Sequence, residues 1–142
     1  MTTAEPPPTV DAVCIYADRD GVSHLADVAL PALAQSGDAE GRTRFLGATG
    51  ATVMGFVVGT GPVMKDWHVA SMAGLSIVLS GEWEVEAGDG ERRMLRTGSV
   101  LLMLDTHGRG HRSRCYAEGG STVLGIGIDD ATRAAFTALL PG

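Results

Sequence analysis

Short apolar runs closed by glycine-containing turns recur along this chain, and they rule out most architectures before any residue is given a role. Twenty of the 142 residues are glycine. Glycine takes positive φ at no steric cost, so glycines spaced between brief apolar runs mark tight turns between strands. Val13–Tyr16 is one such run, closed by Asp18, Asp20 and Gly21. Thr43–Leu46, Thr52–Val58, Leu75–Leu79, Arg92–Leu95 and Ser121–Ile128 are others. Glu82–Glu86 alternates strictly, with Trp83 and Val85 on one face and the three glutamates on the other, the two-residue period of a half-buried strand. Asp89-Gly90 predicts a hairpin turn. Ser99–Leu104 is apolar without alternation, as in a strand buried on both faces.

The rest of the chain is less regular. Residues 1–12 carry three consecutive prolines and no period, and read as a flexible or strap-like leader. Leu25–Leu33 is weakly apolar and interrupted by Pro31, and Gln35–Gly41 reads as a polar loop. Asp129 or Asp130 caps a short helix over Ala131–Leu140, with Ala135, Phe136, Leu139 and Leu140 as its apolar side. There is no alternation of strand and helix. Neither Gly47/Gly50 nor Gly59/Gly61 is followed by Gly-Lys-Ser/Thr, so a phosphate loop is not expected. The expectation is one all-β domain over residues 13–142, an antiparallel barrel or sandwich with a short C-terminal helix.

Charge narrows the partners. Seventeen acidic against eleven basic side chains give a net charge of −6, which repels a phosphate backbone and argues against nucleic acid. The basic stretch Arg109, His111, Arg112 and Arg114 reads as part of a site or as a solvated strand end. No window reaches the roughly 18 uninterrupted apolar residues of a membrane helix, and the N-terminal residues lack the basic-then-apolar pattern of a secretion signal. A cytoplasmic location is therefore expected. Cys14 and Cys115, far apart and outside any C-x-x-C pair, are expected to be buried free thiols.

From Trp67 to Arg114 the order of features resembles the cupin superfamily. Cupins carry two short motifs on either side of a hairpin that bring histidines and a glutamate into the mouth of a barrel. Trp67-His68 followed by Ile77–Gly81 matches the frame of the first, with His68 at its first histidine. Gly98–Asp105 begins like the second, and His111 follows two positions late. A subset of small single-domain cupins is similar over roughly residues 14–128. Its shared elements stand here as Asp20-Gly21-Val22-Ser23-His24, Trp67-His68, Leu79-Ser80-Gly81, Asp89-Gly90-Glu91 and Asp105–His111. The resemblance implies a cupin barrel (a double-stranded β-helix, or jelly roll), often paired through strand edges as a homodimer. It also shows a departure: the second histidine of the first motif falls at Ala70 and its glutamate near Gly74, so half of the usual metal ligands are gone.

The candidate catalytic residues are His68, His111 and Asp105. An imidazole titrates near neutrality and can move a proton, and Trp67 is expected to shield His68. Gly108-Arg109-Gly110 lets the backbone before His111 pass close to a ligand. Asp105, at the end of a buried strand, either orients one of these histidines or caps a turn. Trp67, Met72, Gly74, Trp83, Met103 and Arg109 are the candidate substrate contacts. His24 reads as a structural hydrogen-bonding residue. His107 is the residue that could restore a metal site with His68 and His111, for iron, zinc, nickel or manganese.

Three functions compete. The leading one is a non-redox lyase, isomerase or cyclase acting on a largely apolar, polyketide-like secondary metabolite, with no cofactor. The second is a metal-dependent oxygenase using His68, His107 and His111. The third is a non-catalytic module that binds a small molecule.

Overall fold

The computed structural model describes residues 8–31, 34–37, 40, 43–46 and 50–141. The chain is mostly β, with twelve strands and one helix among these residues. In order they are β1 (Thr9–Ala17), β2 (Ser23–Pro31), β3 (Ala34–Gly37), β4 (Thr43–Leu46), β5 (Ala51–Gly59), β6 (Val63–His68) and β7 (Gly74–Ser80). Then follow β8 (Trp83–Glu86), β9 (Arg92–Leu95), β10 (Val100–Met103), β11 (His111–Cys115), β12 (Ser121–Ile128) and α1 (Asp130–Thr137). A six-stranded sheet runs β2-β1-β10-β7-β12-β5, a four-stranded sheet runs β6-β11-β8-β9, and β3 pairs with β4. Pairing is antiparallel except between β1 and β10, which run parallel with Val13 opposite Leu101.

The two larger sheets face each other across one core, and the helix covers the other face of the six-stranded sheet. Alternation sorts the residues. Ile15, Val78 and Leu101 meet Val85, Ala87 and Leu95 of the four-stranded sheet. Their sequence neighbours Cys14 and Leu102, with Leu75, turn the other way to join Ile128 and Phe136 of α1. Ser99–Leu104 thus reads as continuously apolar because both its faces are covered. Burying each such side chain is worth about 1.5–3 kcal/mol, so a strand buried twice over fixes the sheet's register firmly.

Several boundaries differ from the sequence expectation. The leader ends earlier than residue 12, because β1 starts at Thr9 and pairs along its whole length with β2, from Thr9 opposite Pro31 to Ala17 opposite Ser23. Cross-strand partners supply an order that local composition does not announce. Part of the expected loop Gln35–Gly41 is strand, since β3 pairs with β4 from Ala34–Leu46 to Gly37–Thr43. Helix α1 stops at Thr137, and of its expected apolar side Phe136 is buried while Ala135 and Leu139 are exposed. Glu86 does not face solvent. It is buried on the outer face of β8 beneath Arg112 and Arg92, at 2.8 Å and 2.6 Å. These guanidiniums, Arg112 foremost, hold its carboxyl below the ordinary range against the opposing effect of burial.

The helix braces the site. Asp129 accepts a hydrogen bond from the Thr132 N–H at 2.8 Å as the N-cap. Arg133 on the same helix donates to the Leu104 carbonyl and to Thr106 Oγ1, at 3.3 and 2.8 Å. Those groups flank Asp105.

Candidate functional site

Strands β6 and β11 lie side by side with His68 opposite His111, but three residues of β6 span the interval that two residues of β11 span, since Lys65 stands opposite Ser113. That extra residue is a β-bulge. In a regular strand Lys65 and His68 have opposite parity and point to opposite faces; the bulge turns both to the inside. On β11, His111 and Ser113 face inward and Arg112 and Arg114 face out.

These side chains open onto a cavity between the sheets. Its inner lobe, about 150 Å³, reaches the core residues Val78, Val85, Leu95 and Leu101 and is also lined by Trp83. A contiguous outer lobe of about 480 Å³ runs past Val53, Met72 and Gly127. Lys65, His68, Ser76, Met103 and His111 line both. The size falls within the range of small-molecule sites, roughly 300–1,000 Å³.

The two imidazoles are held in similar ways from different sides. Nδ1 of His68 lies 2.7 Å from the Asp66 carbonyl, an acceptor only, so Nδ1 carries the proton and donates. Nδ1 of His111 lies 2.5 Å from Oδ2 of Asp105, whose side chain is fully buried. A carboxylate there fixes the Nδ1–H form and the ring's orientation. The ring centroids are 4.5 Å apart and tilted by 59°. Since both Nδ1 atoms are committed, the ring edges bearing Nε2 serve the cavity. Burial, with His111 and Lys65 nearby, sets His68 below its ordinary value of 6.5, although the bond to Asp66 opposes this. Near neutral pH it is an unprotonated base.

The loop before His111 is clamped from three directions. Ser23 Oγ, fully buried, donates to the Gly110 carbonyl and accepts from the Gly88 N–H, both at 2.7 Å. The Arg109 N–H donates to the Gly21 carbonyl at 2.9 Å. Gly110 has φ of 73°, and a Cβ there would run into the His68 carbonyl. Only glycine lets the strand carrying His111 approach His68 so closely. His24 locks the same corner, bonded to Asp18 and Asp89 at 2.7 and 2.9 Å.

The expected site residues divide. His68, His111, Met72, Gly74, Trp83 and Met103 line the cavity. Gly74 lies there for a backbone reason, since a Cβ would meet the Ile126 carbonyl of β12. Asp105 lines neither lobe and acts through His111; its Oδ1 has no partner among the described residues. Trp67 is not in the cavity. As the neighbour of His68 on a strand it points outward, between Arg112 and Arg109 at 5.2 and 5.7 Å from its ring. The shielding of His68 therefore comes from the cavity wall. Arg109 is exposed on that outer face, so it too is not a lining residue. His107 is exposed in the turn and lines neither lobe, which separates it from the metal set proposed with His68 and His111.

A cupin-type metal would need more donors than this cavity offers. Among the described residues two imidazoles and no carboxylate face it, and no group of three or more His, Cys, Asp or Glu is placed to hold a metal ion. Catalytic metal sites ordinarily use three protein ligands, so the residues do not fit one. Lys65, Ser76 and Ser113 were missed. Strict alternation over Val63–His68 would place Lys65 on the face opposite His68, and only the bulge brings it inside. Alternation along His111–Cys115 places Ser113 on the same face as His111. Both cysteines are buried and free, and burial foremost pushes the Cys14 thiol up to about 12.

Scanned against protein-family models and searched against curated proteins, the sequence matches none.

Proposed function

We propose that this chain is a small-molecule enzyme of cupin type, a lyase, isomerase or cyclase that moves a proton on a largely apolar substrate. The observation that carries this reading is the pair His68 and His111, 4.5 Å apart between ring centroids in an apolar cavity, each with Nδ1 already bonded. His68 Nε2 takes the proton. The resulting imidazolium returns that proton to the substrate at another position, while His111, steadied by Asp105, presents its own Nε2 to the same space as a hydrogen-bond acceptor. The walls confine the substrate's conformation and exclude water, which supplies the rest of the rate. An acidic surface and cysteines kept as thiols agree with a cytoplasmic protein that does not bind nucleic acid. No helix among the described residues is long and apolar enough to cross a membrane.

On a substrate that turns over, His68→Ala should lower kcat/KM by about 10²–10⁴-fold while the melting temperature stays within a few degrees. Near-full turnover with an unchanged melting point would remove acid–base chemistry at His68 from the account.

A homodimer is part of this proposal. Strand β5 is the edge of the six-stranded sheet, and Met54, Phe56 and Val58 on it are 64%, 65% and 67% exposed. An apolar edge strand is a template for a second chain.

A further inference from the structure

The cavity's polar groups are unbalanced in charge. Lys65 and the two histidines line it, with the hydroxyl-bearing Ser71, Ser76 and Ser113, and no carboxylate among the described residues does. Lys65 is exposed at the outer lobe, and its side chain makes no ion pair or hydrogen bond among the described residues. Its neighbour Asp66 points elsewhere, accepting from the Trp67 N–H at 2.8 Å. The bulge in β6 is what places this ammonium on the same side as His68, three residues away. Trp83 adds an indole N–H that is buried without a partner among the described residues. The remaining lining is Val, Leu, Ile, Ala, Met, Phe, Trp and glycine. A sugar or polyol would leave these walls unfilled, and a cationic ligand would oppose Lys65.

We propose that Lys65 is an anion anchor and that the cavity takes apolar carboxylic acids, the carboxylate at the mouth beside Lys65 and the apolar body inside. The proposal rests on the reading of the cavity as a small-molecule site and names the ligand class for it. An ammonium–carboxylate contact carries charge on both partners and is stronger than a neutral hydrogen bond. At an outer lobe it is also weakened by salt.

The test uses the intact protein and three matched probes: 4-phenylbutyrate, its amide, and 4-phenylbutylamine. Binding is followed by calorimetry and by the imidazole signals of His68 and His111, which place the probe in the cavity. The wild type should bind the carboxylate about tenfold tighter than the amide, and the amine weakest. Lys65→Met should abolish the preference and leave amide binding unchanged, and Lys65→Arg should keep it. Raising sodium chloride to 0.5 M should shrink it. Equal affinity for carboxylate and amide in the wild type, or a preference that survives Lys65→Met, would overturn the anchor while leaving the cavity a ligand site. If none of the probes moves the histidine signals up to its solubility limit, both the anchor and the small-molecule reading of the cavity fail.

Discussion

Replacing His111 with Ala should unfold this protein more readily than replacing His68, although both line one cavity. The difference lies behind the rings. His68 is half-buried and its Nδ1 bonds a backbone carbonyl that water can satisfy. His111 is 5% exposed, and its Nδ1–H is the partner of an Asp105 side chain with no exposure at all. Asp105 Oδ1 has no partner among the described residues, so removing the imidazole leaves the whole carboxyl group unpaired in the core. Breaking a buried pair in this way costs about 3–5 kcal/mol. For a domain of this length each kcal/mol lowers the melting temperature by roughly 2–4 °C, which sets the expected fall at about 6–20 °C. His68→Ala should cost no more than about 1.5 kcal/mol. The two parts of the His111 effect are separable, because lost packing persists in a double variant while the uncompensated charge does not. Urea denaturation of wild type, His111→Ala, Asp105→Ala and the double variant closes the cycle. The double variant should be more stable than His111→Ala alone, with a coupling of about 1–3 kcal/mol. If the two single losses simply add, Asp105 and His111 are not a coupled pair and the account of how His111 is oriented is wrong.

Two further outcomes follow from other parts of the structure. Asp18 and Asp89, Asp18 foremost, raise His24 above its ordinary value of 6.5. Its contribution to stability is therefore full below pH 6.5 and lost as pH rises through the raised value; His24→Gln should abolish that part of the pH dependence of the melting temperature, and an unchanged profile would show the clamp to be inert. Light scattering should give a dimer for the wild type and a monomer for Met54→Asp/Val58→Lys, two outward residues of β5 that line neither lobe; a wild-type monomer at high concentration would remove β5 as an interface.

The legible parts of the sequence were those where local pattern and tertiary environment agree. Ser121–Ile128 stands as a strand over its predicted span, an apolar run that pairs with β7 on one side and β5 on the other. His68 and His111 were found through the resemblance and do share a cavity. The illegible parts depend on partners distant in the chain. β1 extends to Thr9 because β2 lies beside it, and Glu86 is buried because two arginines cover it. Lys65 was invisible for a sharper reason. Its inward direction depends on a single extra residue in β6, which breaks the two-residue period that a sequence reading must assume. Trp67 was misplaced by the opposite error, since adjacency to His68 on a strand implies the other face.

The central claim is that the cavity holds a neutral base at His68, and a pH titration of the imidazole ¹⁵N signals tests it most directly. Burial first sets His68 below 6.5, and the carboxylates set His24 above it. The account predicts that His68 loses its proton at lower pH than His24, and that near pH 7.5 it carries hydrogen on Nδ1 with Nε2 bare. A His68 that titrates above His24, or that carries its neutral-form proton on Nε2, would contradict it.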